Sequence, residues 1–97
     1  AQRALEDLFV DVAFLGANGV DAQRGFTTPH EVEAATKRAF VAAARRTVVL
    51  ADSSKVGNVS FHRSARSEEV DLLITDDGLE DERAEELDDV GVEVIRA

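Results

Sequence analysis

Apolar positions along the chain fall into two alternating kinds of run. "FVDVAFL" (9–15), "TVVLA" (47–51), "VDLLIT" (70–75) and "VEVI" (92–95) are short, β-rich and nearly continuous. Such runs read as buried strands. Between the first two lies "TTPHEVEAATKRAFVAAARR" (27–46), which has helical spacing. There Thr28 fits an N-cap, Pro29 the first helical position, and Glu31 the third residue of a capping box. Val32, Ala35, Ala39, Phe40 and Ala43 line up as one apolar stripe. Glu33 and Lys37 form a favourable i, i+4 pair, and Arg45 and Arg46 suit the negative end of the helix dipole. A second helix, about 80–89, turns Ala84, Leu87 and Val90 inward and stops at Gly91. Residues 1–8 read as the tail of an earlier helix, and 58–66 is ambiguous, with the character of an irregular edge strand.

Continuous apolar strands alternating with helices predict an α/β unit with a mostly parallel sheet and helices on both faces. At 97 residues, with no internal repeat or linker, the chain is at most one domain. Parallel strands bring the loops after them to one edge, where open α/β sheets bind ligands. "GANG" (16–19), "DSSKVG" (52–57) and "TDDG" (75–78) fall there. Lys55 offers a point charge suited to phosphate or carboxylate. Asp52 can hold a sugar hydroxyl or orient Lys55, and Asn18 supplies both a donor and an acceptor. Free N–H groups near Thr27 and Thr28, at the start of the long helix, favour an anion.

Composition narrows the chemistry. A formal net charge of −9 argues against this segment gripping nucleic acid or an anionic membrane, both of which call for a basic face. No run reaches the ~18 apolar residues of a membrane span. The chain has no cysteine, hence no disulfide framework and no thiolate zinc site, and a cytoplasmic origin is the economical reading.

Plainer roles compete at each position. Asp52 reads equally as a turn former or cap, Lys55 as a solvated cation, and Gly16 and Gly19 as turn residues with positive φ. Asp76 and Asp77 read as caps before a metal pair, and His30 and His62 share no ligand spacing. The nine acids from Asp76 to Asp89 face only Arg83 and read as a solvated helix face. Asn58-Val59-Ser60 matches a glycosylation triplet that has no meaning in a cytoplasmic protein. Phosphate-loop, dinucleotide, zinc-protease and nucleophile-elbow motifs are absent.

The order and spacing of "DVAFLGANGVDAQRGFTTP", "EAATKRAFVAAARRTVVLADSSKVG" and "VDLLITD" resemble the C-terminal effector-sensing domain of DeoR-family bacterial transcription regulators, from about Asp11 to Ile95. The resemblance implies a fold like ribose-5-phosphate isomerase. It implies a phosphorylated sugar or related metabolite as partner, with no further cofactor and no metal. It also implies an N-terminal helix-turn-helix that alone contacts operator DNA, and homo-oligomers. Residues 1–97 would be the later part of the sensing domain. By that resemblance Gly16, Asn18, Gly19, Asp52, Ser54 and Lys55 line the effector pocket.

A sugar-phosphate isomerase is the competing class. The isomerase carries acids where this chain reads Leu15-Gly16-Ala17-Asn18, and its helix glutamate is replaced near Thr36–Lys37. Without a carboxylate to move a proton between carbons, the pocket keeps binding groups and loses its base. A phosphoacceptor receiver domain fits less well, because Lys55 precedes Asp76. The expected class is a sensor, not an enzyme.

Overall fold

The structure, a computed structural model, describes residues 9–97. The expected helical tail at 1–8 lies outside them. The elements run β1 (Val10–Gly16), β2 (Gly19–Asp21), β3 (Gly25–Thr28), α1 (Glu31–Ala43), β4 (Ala44–Leu50), β5 (His62–Ala65), β6 (Leu72–Thr75), α2 (Asp81–Asp89) and β7 (Glu93–Arg96). Short 3-10 turns lie at Ser53–Lys55 and Ser67–Glu69.

The four predicted strands form one parallel sheet in the order β1-β4-β6-β7. Each parallel connection steps in the same direction. Right-handed crossovers therefore put α1 and α2 on one face. That face carries Ala13, Thr47, Val49 and Leu73, all buried, and Val49 and Leu73 belong to one core cluster with Val41 of α1, Leu87 of α2 and Phe26 of β3. Register pairing places Val12, Phe14, Leu50 and Ile95 on the opposite face, around Val48 and Leu72. Those four are exposed, Phe14 to 67%. The run 9–15 thus forms a strand as expected, but an edge strand with one open apolar side.

A second, antiparallel sheet has the order β2-β3-β5. It takes residues that sequence pattern assigned to a loop and to the helix start. Thr27 and Thr28 lie buried in β3. The helix begins at Glu31 after His30, whose backbone is extended and whose side chain makes no cap. Two adjacent β-branched residues fit the pleated sheet better than a helix end. The Thr28 hydroxyl donates to Asn18 Oδ1 (3.2 Å) instead of capping.

The far end shifts as well. The helix stops at Ala43, and Arg45 and Arg46 are exposed strand residues, Arg46 opposite Val12. The buried stripe of α1 is Ala34 and Val41; Val32 is 81% exposed and Phe40 half-buried. In α2, Leu87 is buried and Ala84 and Val90 half-buried, as the spacing predicts. The ambiguous stretch 58–66 contains β5, an edge strand with a register shift opposite Phe26 and Thr27.

Candidate functional site

Parallel strands bring Gly16, Asp52 and Asp76 to one sheet edge, and specific bonds then hold their loops together. After β4 the Asp52 carboxylate caps the 3-10 turn, its Oδ1 accepting from Ser54 N (3.1 Å) and from the Ser54 hydroxyl. After β6 the Asp76 carboxylate accepts from Ser53 N (2.9 Å) and Gly78 N (2.8 Å). These bonds, Ser53's first, hold the Asp76 carboxyl below the usual carboxylate range. Asp76 is thus the clamp between two loops. Sequence reading took it for a local cap, and its position directly after a strand was the available signal.

The same loop is joined to the antiparallel sheet. Gly57 N donates to Val20 O (2.7 Å), Val56 bridges Val20, and Asn58 Nδ2 donates to Ser54 O (3.0 Å). Gly19 makes this approach feasible. A Cβ there would stand 2.4 Å from Thr27 Oγ1 and 2.5 Å from Asn58 O. Its role is space. Positive φ occurs instead at Gly25, Gly57 and Gly91, so the positive φ expected of Gly16 and Gly19 is not found.

At the end of β1, Lys37 Nζ donates to Gly16 O (2.8 Å) and pairs with Glu33 (2.9 Å). The hydrogen bond and charge of Lys37 lower the Glu33 carboxyl pKa. Asn18 N donates to Thr27 O (3.0 Å), and Asn18 Oδ1 takes the Thr28 hydroxyl, which leaves Asn18 Nδ2 without a partner among the described residues.

Lys55 is half-buried at the end of the 3-10 turn, and among the described residues its ammonium has no ion-pair partner. A cleft of about 440 Å³ opens along the strand ends, lined by Leu50, Ala51, Asp52, Ile74, Thr75, Asp76 and Ala97; Lys55, three residues after Asp52, is not among the lining residues. Thr75 Oγ1 is buried there without a hydrogen-bond partner among the described residues. That hydroxyl escaped sequence reading because nothing in "LLIT" marks it as unpaired.

Of the residues expected to line the pocket, Asp52, Ser54 and Lys55 follow β4, Asn18 lies between β1 and β2, and Gly16 and Gly19 end and begin those strands; only Asp52 lines the cleft. Thr27 and Thr28 do not form the helix-start anion site expected of them. They are strand residues, and the real first turn carries Glu31 and Glu33, which repel an anion.

This arrangement defines an α/β domain with a cleft at its strand edge, where Asp52, Thr75 and Asp76 meet Leu50, Ala51, Ile74 and Ala97. The chain matches the DeoR C terminal sensor domain over residues 1–77 and belongs to that family. It is 42% identical over 95 residues to the HTH-type transcriptional regulator GlpR of Haloferax volcanii, covering 98% of this chain and 37% of that protein. The putative aga operon transcriptional repressor of Escherichia coli O157:H7 is 36% identical, over 98% of this chain and 35% of that protein. The HTH-type transcriptional repressor GlcR of Bacillus subtilis is 37% identical, over 94% and 35%. The chain spans a little over a third of the length of these relatives. Relatives named as regulators and repressors agree with a regulatory domain and not an enzyme. Among the described residues, no helix is long and apolar enough to cross a membrane.

Proposed function

We propose that the strand-edge cleft binds a phosphorylated sugar or a related anionic metabolite, and that this binding governs operator affinity of a helix-turn-helix elsewhere in the same cytoplasmic protein. The observation that carries this is Lys55, a half-buried cation without an ion-pair partner among the described residues, on a loop clamped by Asp76 and stitched to Val20. Lys55 and Asn18 Nδ2 supply donors for phosphate, the second oxygen of Asp52 supplies an acceptor for hydroxyls, and the Thr75 hydroxyl supplies either. The relatives' names, which include an aga operon transcriptional repressor, support a role in regulating transcription.

In this reading the regulator is a homo-oligomer. A parallel sheet normally has both faces covered, and a second copy covers the face carrying Phe14, Leu50 and Ile95. Effector changes DNA affinity by binding two states of the oligomer unequally, and a coupling of ~1–3 kcal/mol shifts operator affinity roughly 5–150-fold. The test is calorimetric titration of the intact regulator with a panel of sugar phosphates, alongside operator release. Saturable binding that releases operator supports the reading. Absence of binding across the panel, or binding without effect on operator, overturns it.

A further inference from the structure

A second cleft lies away from the strand edge, between the flank of α1 and the outer strand of the antiparallel sheet. It measures about 250 Å³ and is lined by Arg38, Arg63, Ala65, Arg66 and Glu69. None of these residues belongs to the strand-edge site. The chain holds 11 lysines and arginines against 20 acids, yet here three arginines meet one glutamate.

That glutamate offsets one of the three charges and is engaged by Arg66. Glu69 Oε1 accepts the Arg66 backbone N–H at 2.8 Å, whereas the Arg66 guanidinium reaches it only at 3.5 Å. Arg38 is fixed by donating Nη1 to the Arg63 carbonyl at 2.7 Å, and its other donors have no partner among the described residues. The Arg63 side chain has no ion pair among the described residues.

The backbone produces this grouping. The register between β3 and β5 changes from Thr27↔Arg63 to Phe26↔Ala65, so Ser64 is an extra, bulged residue. Its hydroxyl donates to Phe26 O (3.1 Å). Ser64 and Ala65 are consecutively buried, and Arg63 and Arg66 emerge on either side. A regular strand would alternate and separate them. Gly25, at φ +86°, lets β3 lie against this bulge, since a Cβ there would meet Ala65 O at 2.4 Å.

With Glu69 offsetting one of the three guanidinium groups, the cleft keeps an excess of positive charge that an anion relieves, and the forked donors match the oxygens of a phosphate group. We propose that this cleft is a second anion site, taking a phosphate group either as free phosphate or on a small phosphomonoester, distinct from the effector pocket.

The test is titration of the intact protein with inorganic phosphate and, separately, with glycerol phosphate, each against sodium chloride of equal ionic strength. Calorimetry and thermal unfolding are read for the parent, Arg63→Ala, Arg63→Lys and Lys55→Ala. Arg63 is exposed and its structural bond is made by its backbone carbonyl, so Arg63→Ala leaves the fold intact. Saturable binding weakened about tenfold or more by Arg63→Ala, weakened less by Arg63→Lys and retained in Lys55→Ala supports the site. Tighter binding of the ester assigns it to a metabolite, and equal binding to free phosphate. An effect reproduced by chloride, unchanged by Arg63→Ala, or abolished by Lys55→Ala alone overturns it. So does concentration-dependent association without phosphate that Arg63→Ala removes, which would make the partner an acidic surface of a second copy.

Discussion

The two faces of the parallel sheet carry similar amounts of apolar side chain and have opposite fates. One presents Ala13, Val49 and Leu73 to the helices and the small sheet, and all three are buried. The other presents Val12, Phe14, Leu50 and Ile95 to solvent among the described residues. Adjacent residues on the same strand, Ala13 and Phe14, thus belong to different problems. The inner one is buried in the core, and the outer one lies on the face where a second copy is proposed to sit. Apolar character alone does not separate the two, because both faces contribute to the same continuous runs.

Substitution on the inner face is the largest effect expected. Leu73 is fully buried, and Leu73→Ala leaves a cavity costing about 2–5 kcal/mol. Phe14→Ala on the outer face changes the stability of a dilute monomer by only about 0.5 kcal/mol. Urea unfolding of both variants checks this, and equal losses would erase the distinction between the faces. The outer face is then tested on its own terms. Phe14→Glu puts a charge where a second copy is proposed to sit, and sedimentation should show weaker self-association with little change in the unfolding midpoint.

How far the chain could be read follows from the same contrast. The four parallel strands and both helices were legible because each is an apolar run or stripe of adequate length. The antiparallel sheet was not, since β2 and β3 hold only three and four residues, too few for periodicity to register. One signal was present. Asp21 Oδ2 accepts from Gln23 N (2.9 Å) and Arg24 N (2.7 Å), closing a turn that ends at Gly25. Asp followed by a glycine that takes positive φ is hairpin chemistry. The places of Asp52, Lys55 and Asn18 after strand ends were legible, because each follows an apolar run. Asp76 as a clamp and Thr75 as an unpaired hydroxyl depend on pairings across more than twenty residues, which no local pattern encodes.

The hairpin within residues 16–28 is itself packed against the loop after β4. Gly19→Val drives a side chain against Thr27 and the Asn58 carbonyl and should cost about 1–3 kcal/mol through overpacking. If Gly19→Val unfolds with the parent midpoint, the hairpin is not packed against the 52–58 loop as described. Lys55→Ala works in the opposite sense, leaving stability near the parent's and weakening a sugar phosphate by about tenfold or more. Calorimetry giving parental affinity would remove Lys55 from the site.

The smallest effect, and the sharpest check on the clamp, is the response to acid. Asp76 has its carboxyl lowered in the folded chain, first by the Ser53 N–H, then by the Ser53 side chain and the Gly78 N–H. A carboxyl lowered on folding stabilises the native state fully above its unfolded value of about 3.9, and that contribution is lost as pH falls through the folded value. The Asp76→Asn variant removes the titrating group while keeping one acceptor oxygen. The stability gap between parent and Asp76→Asn should therefore be widest near neutral pH and close as pH falls below the ordinary carboxylate range. Glu33, lowered by Lys37, titrates in both proteins and cancels from the difference. A gap that stays constant through acid would mean that Asp76 bonds to Ser53 and Gly78 equally well when protonated, and the two site loops would need another tie.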